Sequence, residues 1–357
     1  MNIVPSLLHF ADGNAVNTPE DWKNRREELL DLLRREEYGY APEPCKVTAE
    51  VVSRDAKCAG GSAVLEKVLL TFHAPKGDHT VPMHFFVPAD GKKHPLILLI
   101  NFRPDPYDMY CPTEEILDNG FAFAEICYKD ITSDDPDFTN GLAGCFDRPT
   151  DGTGWGKISL WAYALHGAIG YLQEREEVDA ANMAVAGHSR LGKTAMWCAA
   201  QDERIRFALI NGSGCGGTAL EQTKHENAEN YAHIHTNFYY WFCENHHKYE
   251  TETVSTVFDQ HMALACIAPR YACVGCAKDD LWADPWSEKI CCAAAAPAWE
   301  LFGLVGFDGD DAPASVGTFC HGGHIAYHLR DGIHFFSRRD WLPYMEHIKS
   351  NLYIKIL

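Results

Sequence analysis

Residues 182–200 read Asn182-Met-Ala-Val-Ala-Gly187-His188-Ser189-Arg190-Leu191-Gly192-Lys193-Thr-Ala-Met-Trp-Cys-Ala-Ala200. Asn182 to Gly187 read as a short buried strand, covered on both faces. Leu191 to Ala200 are small and apolar and predict a helix. Ser189 therefore stands where a buried strand passes into a helix N-terminus. A sharp turn at that junction exposes a side-chain oxygen beside free backbone N–H groups, which is what a nucleophilic serine needs. The common Gly-x-Ser-x-Gly spacing is not met, because the second glycine falls at 192. A plain helix N-cap is the other reading of the same serine.

Outward from this turn the pattern alternates. Pro95–Asn101 and Phe121–Cys127 are continuous apolar runs, and Phe207–Asn211 and a last strand near Tyr271–Cys276 follow on the other side. Ile158, Trp161, Leu165, Ile169 and Leu172 recur at intervals of three and four and predict an amphipathic helix over 155–174. Alternating strands and helices imply a doubly wound, mostly parallel sheet with right-handed crossovers, an α/β three-layer sandwich. Upstream, residues 20–37 predict a helix, and the runs at 66–74 and 81–89 predict an antiparallel N-terminal hairpin. The whole of 1–357 reads as a single domain. Its stretch 213–265, polar, aromatic and His-rich without periodicity, reads as a substrate-binding insertion.

Composition excludes several classes. The chain carries 31 Lys+Arg against 50 Asp+Glu, a net charge of −19, so it lacks the basic stripe that nucleic acid requires and is repelled by anionic lipid. No apolar run approaches the roughly 20 residues of a membrane span. The opening MNIVPSLLHFADGN has no cationic n-region and no long apolar core, so the expected location is the cytoplasm. The 14 cysteines sit mostly within apolar segments and read as free thiols. Cys273 and Cys276 lie three apart on a strand and face opposite sides, which argues against a metal or redox pair.

A serine nucleophile needs a base and an acid that orients it, in this architecture in the order Ser, Asp or Glu, His. Asp279, Asp280 and Asp284 follow the strand near 276, and His321, His324, His328 and His334 come later. Composition does not rank them. The His-Gly-Gly-His cluster has no carboxylate or cysteine at a fixed ligand spacing, so no metal and no cofactor are expected.

The block GHSRLGKTAMWCAAQDERIRFALINGSGCGGTAL (187–220) resembles the core of carbohydrate esterase family 15, the glucuronoyl esterases, especially their bacterial branch. Similar blocks cover most of the chain: EYGYAP (37–42), WGKISLWAYALHGAIGYLQ (155–173), YYWFC (239–243), IAPRYACVGCAKDDLWADP (267–285) and IAYHLRDGIHFFSRRDW (325–341). Arginine directly after the nucleophile is unusual among α/β-hydrolases, which makes the turn a specific signature. The resemblance implies an α/β-hydrolase fold with Ser189 as nucleophile, His334 as base and Arg190 facing the oxyanion. In the fungal branch the acid is a Glu after the next strand, where this chain has Asn211-Gly212-Ser213. The bacterial D-x-W motif matches Asp280-Leu-Trp282 and implies Asp280. Lys193, Trp282 and Glu229 are implied as sugar contacts, with Glu226 the competing carboxylate. The loop Phe102-Arg103 is expected to add an oxyanion donor.

The expected substrate is a small-molecule or oligosaccharide ester of (4-O-methyl-)glucuronic acid, and the sequence is silent on oligomeric state. An esterase removing acetyl groups from sugar hydroxyls is the nearest alternative. A non-catalytic carbohydrate-binding protein on the same scaffold is the other, and it predicts loss of a triad member.

Overall fold

The computed structural model describes residues 4–250, 257–310 and 312–352. Among the described residues ten strands form one sheet in the order β1-β2-β3-β5-β4-β6-β7-β8-β10-β9. They are β1 (Lys46–Cys58), β2 (Ala63–Ala74), β3 (Gly77–Pro88), β4 (His94–Asn101), β5 (Ala122–Cys127), β6 (Val178–His188), β7 (Phe207–Asn211), β8 (Tyr271–Ala277), β9 (Phe319–Cys320) and β10 (Ile325–Arg330). The centre, from β5 through β4, β6, β7 and β8 to β10, is parallel, whereas β1–β3 and β9 pair antiparallel at the two ends.

The continuous apolar runs became the central strands for the expected reason. β4, β5, β7 and β8 are buried along almost their whole length, because helices cover both faces. One face packs the helices Pro19–Leu33, Lys157–Leu172, Arg190–Gln201 and Pro285–Ala295. The other packs Thr113–Asp118 and Arg338–Asn351. Cys273 belongs to one core and Cys276 to the other, and all 14 cysteines are free.

Two expectations need correction, and the expected hairpin gains a strand. The helix Lys157–Leu172 is buried on nearly every side, not amphipathic; even Lys157 is buried, donating to Thr132 Oγ1 (2.9 Å) and the Asp137 carbonyl (2.7 Å). β8 is not the last strand, since β10 and the short β9 lie beyond it. The hairpin β2–β3 is extended outward by β1, whose residues are almost all exposed and so carry no burial pattern. The stretch 213–265 forms short helical turns and the helix Tyr231–Phe238, and its residues 251–256 lie outside the described residues.

Register positions the site. His188 pairs with Asn211, and Asn211 with Gly275, so β6 and β7 end level and β8 runs two residues further, to Ala277. The turns that follow open side by side at the carboxyl edge of the sheet, where open α/β sheets place their ligands.

Candidate active site

Ser189 links β6 to the helix Arg190–Gln201 with φ 59° and ψ −129°, a conformation that a residue with a side chain rarely adopts. Its amide donates to the Asn211 carbonyl (2.9 Å), and its own carbonyl accepts from Gly192 (2.8 Å) and Lys193 (3.1 Å). A Cβ at Gly187 would lie 2.0 Å from the Leu191 carbonyl oxygen, so only glycine permits a turn this tight. The serine side chain caps no amide in this helix, which removes the N-cap reading.

Asp280 lies just past β8 with its side chain only 4% exposed, and it accepts from His334 Nδ1 at 2.5 Å. A carboxylate only accepts, so the hydrogen-bond network assigns the proton to Nδ1 and leaves the Nε2 lone pair free. His334 is 41% exposed, on the loop after β10. The neighbouring carboxylates are elsewhere. Asp284 caps the helix Pro285–Ala295, accepting from Ser287 N (3.1 Å) and His225 N (2.6 Å), and Asp279 is exposed. Of the other late histidines, His328 faces Asp340 (3.2 Å) and His321 stacks on Phe319. Gly212, at φ +47°, lies beneath the pair; a Cβ there would sit 3.3 Å from Asp280 Oδ2 and 3.6 Å from His334 Cε1.

His188 packs beside this pair. Asn211 Nδ2 donates to the Gly275 carbonyl (3.1 Å), so its Oδ1 faces His188 and accepts from Nδ1 at 2.7 Å. Burial and the neighbouring His334 push the His188 pKa down to about 3, so its ring stays neutral.

Lys193, Glu229 and Trp282 come together. Lys193, 3% exposed, donates to the Ser213 carbonyl (2.5 Å) and to Glu229 Oε2 (3.4 Å), and Trp282 Nε1 donates to Glu229 Oε1 (3.1 Å). Glu226 is exposed and makes no such contact, whereas Trp282 leaves 48% of its surface open. Beneath them the Glu288 carboxylate accepts from the Ser213 and Gly214 amides (2.9 and 3.0 Å) and from Thr218 Oγ1 (2.7 Å), fixing the loop that holds Lys193.

Arg190 pairs through Nη1 with Asp134, a residue the sequence reading did not single out. Its guanidinium carbon lies 4.5 Å from the Trp241 ring centroid and 5.2 Å from that of Phe238. Asp134 sits in Ser133-Asp-Asp-Pro-Asp137, which reads as a solvated acidic turn, so no sequence signal separated it. In the Phe102-Arg103 loop, Phe102 N donates to Asn101 Oδ1 (2.7 Å) and Arg103 Nη1 to Asp108 (2.6 Å). Among the described residues, no three His, Cys, Asp or Glu side chains converge as a metal ion would require.

A family model described as "Glucuronyl esterase, fungi" matches residues 88–303. A protein named carbohydrate esterase, from an unknown prokaryotic organism, is 30% identical over 96% of this chain and 88% of its own length. The 4-O-methyl-glucuronoyl methylesterase of Schizophyllum commune is 25% identical, over 84% of this chain and 74% of that protein. A solved glucuronoyl esterase from Solibacter usitatus superposes with a TM-score of 0.89 at 30% identity, covering 98% of both chains.

Proposed function

The chain belongs to carbohydrate esterase family 15, the glucuronoyl esterases, and is a carboxylic ester hydrolase acting on esters of glucuronic acid; we propose that it does so through Ser189, His334 and Asp280. Ser189 Oγ attacks the ester carbonyl while His334 Nε2 takes its proton. Asp280 holds the ring in that tautomer and stabilises the imidazolium. The tetrahedral oxyanion is met by Arg190 and by backbone N–H groups at the helix start. The imidazolium returns its proton to the departing alcohol, leaving a glucuronoyl ester on Ser189. Water, deprotonated by His334, then releases the free uronic acid.

The observation that carries the sugar-acid reading is the Lys193–Glu229–Trp282 network. The Lys193 amide bonds the Ser189 carbonyl, so the network stands one helical turn from the nucleophile. An ammonium, a carboxylate and an indole with one open face are the groups that bind ring hydroxyls and a pyranose face. A small acetyl group would leave them without a partner on the acyl side. The substrates we assign are (4-O-methyl-)glucuronic acid esters on xylan-derived fragments.

The test compares kcat/KM for methyl glucuronate with that for an acetylated xylo-oligosaccharide. The uronate ester is expected to be preferred by at least about 100-fold, since buried polar groups reject a substrate that leaves them unpaired. Faster release of acetate would transfer the chain to the sugar O-acetyl esterases.

A further inference from the structure

Asp134 lies in the turn that follows β5 and the short helix Tyr128–Ile131, and its side chain is 7% exposed. Three donors from three parts of the chain converge on its two oxygens. Arg190 Nη1 and the Tyr128 hydroxyl (3.2 Å) reach Oδ2, and Trp241 Nε1 reaches Oδ1 (2.8 Å). Its backbone carbonyl accepts from the Tyr240 hydroxyl (3.0 Å). Phe238 and Trp241 stack on each other at 4.0 Å, and the guanidinium lies against both. The Lys193 ammonium stands 5.7 Å from the same Trp241 ring. Among the described residues the guanidinium spends Nη1 on Asp134, while its buried Nε has no partner.

We propose that Asp134 is the positioning residue for Arg190: it spends one corner of the guanidinium so that the unspent edge is held for the transition-state oxyanion. The proposal rests on the esterase reading above. A long cationic side chain at a helix start has many rotamers, and an oxyanion donor is worth most when it needs no reorganisation at the moment of reaction. The counter-charge of Asp134 weakens the field of the arginine, so its presence has to be justified by orientation. Three donors surround it, and a carboxylate is the side chain that accepts from all of them; an amide would turn its NH2 toward at least one donor. Through Trp241 the same carboxylate sets the ring against which Lys193 lies, so one buried acid aligns the oxyanion cation with the sugar-binding cation.

The test is a double-mutant cycle on kcat, using wild type, Asp134→Asn, Arg190→Ala and the double variant. It is run on both methyl glucuronate and 4-nitrophenyl acetate, because any ester develops an oxyanion at this site. Asp134→Asn is expected to lower kcat about 10- to 100-fold while KM moves less than about threefold. In the Arg190→Ala background the same change should alter kcat less than about twofold, because no guanidinium remains to be positioned. An unchanged kcat in Asp134→Asn, or an equal loss in both backgrounds, overturns the proposal. If Asp134→Asn does not fold, Asp134→Glu takes its place, retaining charge and acceptors but moving them by one methylene. Wild type that hydrolyses only the acetate ester would defeat the uronate reading, and the cycle would still decide the role of Asp134.

Discussion

The imidazole of His188 lies 4.3 Å, centroid to centroid, from that of His334, tilted by 36°. One ring is buried and neutral with its Nδ1–H on Asn211; the other is half open to solvent with its Nδ1–H on Asp280. His188 can therefore wall the base without adding a charge that would compete with the imidazolium. It occupies the position between Gly187 and the nucleophile, so the elbow itself supplies this wall. His188→Ala should lower kcat about 10- to 100-fold by letting His334 leave the attack geometry. KM should move little, because the ring is not part of the Lys193–Glu229–Trp282 network. Steady-state kinetics on the methyl ester check both.

The two aspartates after β8 have separable jobs. Asp280→Asn removes the charge that fixes the His334 tautomer and stabilises the imidazolium, and should reduce kcat by about 10²–10⁴, with the fold intact. Asp284→Asn leaves the histidine untouched; its single amide oxygen can accept from Ser287 N or from His225 N but not from both, at a cost of about 1–3 kcal/mol in stability. A crippled Asp284→Asn beside an active Asp280→Asn would reverse the assignment.

For Arg190 the expectation concerns the chemical step. Arg190→Ala should cost about 10²–10³ in kcat with little change in KM, the loss usual for one oxyanion donor. Arg190→Lys should recover only part, because an ammonium cannot span Asp134 and an oxyanion as the planar fork does. A change confined to KM would make Arg190 a ground-state sugar contact.

Much of this was legible in the sequence, and the exceptions have physical causes. β4, β5, β6 and β7 were legible because burial on both faces demands unbroken apolar runs. β1 was not, since an edge strand with both faces in solvent is under no such demand. β10 escaped because Ile325–Arg330 buries His328 and Arg330, and the side chain that pairs both, Asp340, lies on the helix Arg338–Asn351. At the site, the Ser189 turn and the Asp280–Trp282 motif are local in sequence and were readable with the family resemblance. Asp134 acts across 56 residues on Arg190, and nothing near it in the chain reveals that.

Buried histidines give the protein an acid-side weakness. Burial first, then the charge of His324, lowers the His347 pKa from 6.5 to about 4. The unfolded chain then binds the proton more readily, so this contribution to stability is complete above about pH 6.5 and is lost as pH falls toward 4. By pH 5 the loss from this group alone is about 2 kcal/mol. His347→Met, which cannot be protonated, should gain on wild type as pH drops from 7 to 5 in urea unfolding. Parallel stability curves for the two proteins would contradict this.

The most direct measurement of the central claim is kcat for methyl glucuronate hydrolysis by Ser189→Ala, read beside its thermal midpoint. The half-buried Ser189 hydroxyl caps no helix amide, so the midpoint should stay within a few degrees of wild type. The account predicts a loss of about 10⁴–10⁶ in kcat. Turnover within tenfold of wild type, in a protein of unchanged stability, would show that the nucleophile lies elsewhere.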